Sequence, residues 1–75
     1  MYTPPERLLK QNEKAFVYHS PKEGQSERYQ LLRKLAGELA HQFLIQCPES
    51  REQSIALTKL EEAVMFANAS IARNE

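Results

Sequence analysis

Pro48 constrains this chain more than any other residue. It sits in the short run Cys47-Pro48-Glu49-Ser50, between two stretches whose apolar residues recur at helical spacing. Proline cannot continue a helix, so one helix ends here. Upstream, Leu32, Leu35, Ala36, Leu39, Ala40 and Phe43 follow the three-four spacing of one buried stripe. Downstream, Leu57, Leu60, Val64, Ala67 and Ile71 form a heptad-like seam. The link is too short for anything but an antiparallel return. The expected core is a helical hairpin about 30 Å long.

Capping residues set the expected helix ends. Ser26 is read as the cap of a first hairpin helix spanning roughly Glu27 to Gln46. Ser50 with Gln53 reads as a capping box that starts the second, which runs to about Arg73. Gly37 falls inside the first helix, where it costs about 1 kcal/mol relative to alanine. It either admits a close neighbour or is simply tolerated. Further upstream, Thr3, the following prolines and Glu6 predict a short N-terminal helix through a polar run that ends near Lys14. Ala15 to Gln25 is read as an ordered loop or short strand: Phe16 to Tyr18 favour extended backbone, and Gly24 permits a turn. The fold class is all-α, with residues 1–15 as an extension and residues 16–75 as the hairpin domain.

A chain of 75 residues is one small domain. Below about 70–80 residues a lone core rarely leaves more than about 3–5 kcal/mol of surplus. The single Cys47 excludes an internal disulfide and a cysteine-based zinc site. Self-association is the remaining common remedy. The second hairpin helix also carries a surplus apolar face of Ile55, Ala56, Ala63, Phe66, Ala69, Ser70 and Ala72, which needs a partner surface. That partner is another copy or the folded-back N-terminal segment. The expected assembly is a homo-oligomer.

Charge narrows the function classes. Ten basic and ten acidic side chains cancel, which argues against a nucleic-acid polymer as partner. Apolar runs such as Phe43-Leu44-Ile45 are far too short to span a membrane, and no apolar segment of a signal peptide follows the start. A cytoplasmic protein is expected.

No catalytic set emerges. The chain has no aspartate, and His19 and His41 lie on different elements without a metal or triad pattern around them. Cys47 falls at a helix C-terminus, where the dipole disfavours a thiolate. No metal site, cofactor or enzymatic activity is expected. A binding constellation is more plausible. Tyr18, His19, Pro21 and Lys22 crowd one segment, and Arg28 and Tyr29 follow in the first turn of the next helix. Aromatic faces stack on bases, guanidinium groups pair with phosphate oxygens, and a helix N-terminus favours an anion. An antiparallel hairpin brings Arg73 and Asn74 to the same end. Residues 1–34 carry seven basic against four acidic side chains, and residues 35–75 carry three against six. The plainer reading is that the tyrosines pack the loop onto the hairpin and the cations stay solvated.

The run from Ser50-Arg51-Glu52 to Ala72-Arg73-Asn74-Glu75, together with Phe16-Val17-Tyr18-His19, Pro21, Gln25, Arg28 and Tyr29, resembles the helical-hairpin domain of bacteriophage anti-defence sponges. These counter the CBASS and Thoeris immune systems of bacteria. The resemblance covers about residues 16–75. It implies a non-enzymatic protein of the host bacterial cytoplasm that sequesters cyclic di- or trinucleotides, or cyclic ADP-ribose signals, uncleaved. It also implies a hexamer with ligand pockets between protomers. Ligand contacts would fall on Tyr18, His19, Pro21, Lys22, Arg28, Tyr29, Arg73 and Asn74, with Arg51 and Thr58 serving a second pocket type. The alternative is an oligomeric helical adaptor that recruits a host or phage protein through the apolar face.

Overall fold

The computed structural model describes residues 1–75 as three helices with no strand: α1 (Glu6–Phe16), α2 (Gln25–Gln46) and α3 (Arg51–Asn74). Helices α2 and α3 pack along each other as the hairpin. Their antiparallel register is visible at both ends. Arg28 near the start of α2 pairs with Glu75 beyond the end of α3, while the side chain of Gln53 donates to the Cys47 carbonyl at 3.0 Å across the turn.

The Pro48 turn is closed largely as the sequence predicts. The Ser50 hydroxyl accepts from the Gln53 backbone N–H at 3.1 Å and donates to the Pro48 carbonyl at 3.0 Å. One oxygen thus satisfies an orphan donor of α3 and stiffens the turn. The reciprocal arm differs: the Gln53 side chain bonds Cys47, not the Ser50 N–H.

The other two expected caps are not used. Helix α1 starts after Pro5 and α2 after Gly24, neither with a side-chain cap bond. Gly24 takes φ +83, a left-handed conformation that costs glycine nothing. That reversal starts α2 one residue before Ser26, which leaves Ser26 inside the helix. Gln25, the first residue of α2, instead reaches back across the turn, its Oε1 accepting from the Lys22 N–H at 2.9 Å. The loop between α1 and α2 is also shorter than expected. Ala15 and Phe16 are helical, because the continuing hydrogen bonds of α1 override the weak extended preference of Phe16.

No apolar side chain is buried, and Gln25, at 3% exposure, is the one buried residue. The molecule measures 52 × 36 × 13 Å, and its depth is close to that of one helix with its side chains. The radius of gyration is 16.8 Å, against about 11 Å for a compact chain of this length. The hairpin is a single layer, and each helix keeps an open face. Helix α1 does not cover the outer face of α3: Phe66 is 71% exposed and Met65 62%. No helix is long and apolar enough to cross a membrane.

Candidate functional site

The free ends of the hairpin converge on a groove of about 390 Å³. The α1–α2 loop supplies Tyr18, His19 and Pro21, and α2 supplies Tyr29 and Arg33, one turn apart. From α3 come Asn68, Ala69, Ala72 and Arg73, the spacing of one helical face. The two alanines keep that wall low, so the rings and cations around it set the groove's chemistry.

His19 orients the loop. Its Nε2 lies 3.0 Å from the Lys14 carbonyl. A carbonyl only accepts, so Nε2 donates. Arg73 reaches the Ala15 carbonyl through Nη2 at 3.5 Å. Neither Arg33 nor Arg73 has a carboxylate partner, since the ion pairs of the chain are Lys10–Glu6, Arg28–Glu75 and Lys59–Glu62. Two unneutralised guanidinium groups therefore border a groove whose other walls include two phenol rings. Such a surface can pair an oxyanion with the guanidinium forks and stack a flat base on Tyr18, which is 82% exposed.

The remaining residues expected at this end are placed around the groove. Asn74 Oδ1 accepts from Lys14 Nζ at 2.8 Å, tying α1 to the end of α3, and its Nδ2 donates to the Ser70 carbonyl at 2.9 Å. Arg28 makes a bidentate contact to Glu75 at 2.7 Å through each nitrogen. Lys22 Nζ donates to the Glu75 main-chain oxygen. The hydrogen bond from Arg28, then one from Gln25, holds the Glu75 carboxyl below its ordinary value, and the same pair raises Arg28.

Arg51 and Thr58 are exposed on the other half of α3; Arg51 lies roughly 33 Å along the axis from Arg73. They line no groove within a single chain. A cation in the first turn opposes the helix dipole, so helix stability does not account for Arg51. Arg33 and Asn68 are groove residues that the sequence reading passed over. The available signals were the four-residue step from Tyr29 and the four-residue step from Asn68 to Ala72. Asn68 Oδ1 is buried without a hydrogen-bond partner. No group of three or more His, Cys, Asp or Glu side chains converges as a metal site would require.

Residues 10–72 match the family model described as Acb2/Tad1, hairpin domain. No curated protein and no solved structure matches the chain.

Proposed function

This chain belongs to the Acb2/Tad1 hairpin family of anti-CBASS and anti-Thoeris cyclic-nucleotide sponges, and from that premise we propose that it binds cyclic oligonucleotide immune signals and withholds them uncleaved. The observation that carries this reading is the groove itself, where Arg33 and Arg73 stand without carboxylate partners beside Tyr18 and Tyr29. A cyclic di- or trinucleotide, or a cyclic ADP-ribose signal, offers the matching flat bases and phosphate oxygens. Holding such a ligand requires no acid, base or metal. The place of action is the cytoplasm of the infected bacterium.

Submicromolar binding requires more than about 8 kcal/mol after association costs. One open groove with an exposed Tyr18 is a poor source of that much. A homo-oligomer, hexameric as in the family, would let a second protomer close the groove with its own rings and cations. The single-layer shape and the exposed Phe66 and Met65 support assembly. So does the all-apolar hollow between α2 and α3, where Leu35 and Leu39 are exposed and Leu32, Leu60 and Val64 only half-buried. Arg51 and Thr58 would then belong to a second pocket completed by a neighbour.

The test combines thermal shift with ligand recovery. The protein should gain melting temperature with members of a panel of cyclic di- and trinucleotides and release them chemically unchanged on denaturation. A panel with no effect, or ligand returned in altered form, would overturn the proposal. The exposed Phe66 face also fits a recruiting adaptor. A monomer in light scattering, indifferent to every nucleotide, would favour that reading.

A further inference from the structure

Outside the groove, the strongest polar cluster lies where α2 begins and α3 ends. Lys22, Gln25 and Arg28 surround Glu75, which arrives from 47 residues beyond Arg28 in the chain. The carboxylate takes both guanidinium nitrogens of Arg28 at 2.7 Å and Gln25 Nε2 at 3.2 Å. Glu23 and Glu27, much nearer in sequence, form no ion pair with either cation.

One arm of the cradle, Gln25, is fixed independently of what fills it. Gly24 turns the chain at φ +83, the Lys22 N–H holds Gln25 Oε1 at 2.9 Å, and this leaves Gln25 Nε2 directed at the occupant. Gln25 is also the only buried side chain, so its amide is preset. Glu75, in contrast, lies past the last residue of α3 and can leave without breaking the helix. A phosphate carries the same fork geometry as the Glu75 side chain and a greater charge. Arg28 and Tyr29 are neighbours on α2, and Arg73 lies two residues before Glu75, so the cradle and the groove share the free end of the hairpin.

We infer that Glu75 is a built-in competitor, its carboxylate occupying an oxyanion site of Lys22, Gln25 and Arg28 that a ligand phosphate enters only after Glu75 swings away. The inference rests on the reading that this end of the hairpin takes a phosphate-bearing ligand. It gives Glu75 a role in setting affinity and not merely in fastening α3 to α2. An exposed bidentate pair competes weakly, so releasing it should tighten phosphate binding by roughly two- to five-fold.

The experiment titrates inorganic phosphate into wild-type and Glu75→Gln protein, following the side-chain and backbone N–H signals of Lys22, Gln25 and Arg28 by NMR. The expected result is tighter binding by the variant, with shifts centred on those three residues. Equal affinity in the two proteins would overturn the inference. So would a variant that melts lower yet takes up phosphate no better, because Glu75 would then be a fastening alone. Cyclic di-AMP is titrated in parallel. If neither protein binds it, the nucleotide reading suffers, while the phosphate series still decides the role of Glu75.

Discussion

Arg28 and Glu75 meet through two 2.7 Å charge-assisted hydrogen bonds and so lock the open end of the hairpin, opposite the Ser50 cap that locks the closed end. The two devices fix the register of α2 against α3 without a buried apolar core. The groove lies beside the ionic lock, which makes the stability of this end and its binding chemistry one problem.

The lock should be lost in acid. Glu75 is held below its ordinary 4.5, first by the hydrogen bond from Arg28, so the folded state favours the ionised form. A depressed carboxyl contributes stability that is fully present above the unfolded value and disappears as pH falls through the lowered folded value. Arg28, raised by the same pair, keeps its charge throughout. Melting curves of wild type and Glu75→Gln should therefore differ at pH 7 and converge well below pH 4.5. A difference that persists unchanged into strong acid would refute the linkage.

Only one of the three expected caps should matter to stability. Ser50→Ala removes the bond to the Gln53 N–H and should cost about 1 kcal/mol. Thr3→Ala and Ser26→Ala remove no capping bond and should leave the melting temperature nearly unchanged. Chemical denaturation of the three variants distinguishes them. A loss at Ser26 as large as that at Ser50 would contradict the cap geometry at Gly24.

These caps also show how much the chain's order reveals. The Pro48 turn was legible because proline, Ser50 and Gln53 act within six residues of one another. The start of α2 was not, because it depends on Gly24 entering the left-handed region, an option that glycine permits but does not require. At the groove, Tyr18, His19, Pro21, Tyr29 and Arg73 meet because antiparallel pairing alone brings their segments together. Arg33 and Asn68 join them through the rotation of each helix about its axis, which an apolar stripe fixes only coarsely. The engagement of Lys22 and Arg28 by Glu75 is a long-range choice among several glutamates, and no local spacing announces it.

The groove makes graded demands on its residues. Tyr18→Ala removes a stacking face worth about 1–3 kcal/mol, or roughly 5- to 150-fold in affinity for a cyclic dinucleotide. Arg33→Ala and Arg73→Ala each remove a charged donor worth about 1.5–3 kcal/mol. Calorimetric titration should show these losses with helix content unchanged, since Arg33 makes no hydrogen bond within the chain and Arg73 only the 3.5 Å contact to Ala15. Arg51→Ala, at the far end of α3, should spare a ligand held in this groove. Unchanged affinity in Tyr18→Ala and Arg33→Ala together would move the site elsewhere.

Assembly should depend on the outer face of α3. Phe66 is 71% exposed in the single chain, and no segment of the chain folds over it. Burying such a ring against another copy would stabilise an interface by roughly 1.5–3 kcal/mol per protomer, and a closed oligomer repeats that gain at every symmetric contact. A charge placed there loses the gain and adds a desolvation cost, while the isolated hairpin, with the position already open, is unaffected. Phe66→Glu should therefore lower the mass seen by light scattering and weaken ligand binding in step, yet leave the helical signal of each chain intact. If the mass falls but affinity holds, one protomer's groove suffices for the ligand. If neither changes, another surface joins the copies, and the open hollow bounded by Leu32, Leu35, Leu60 and Val64 becomes the next to substitute.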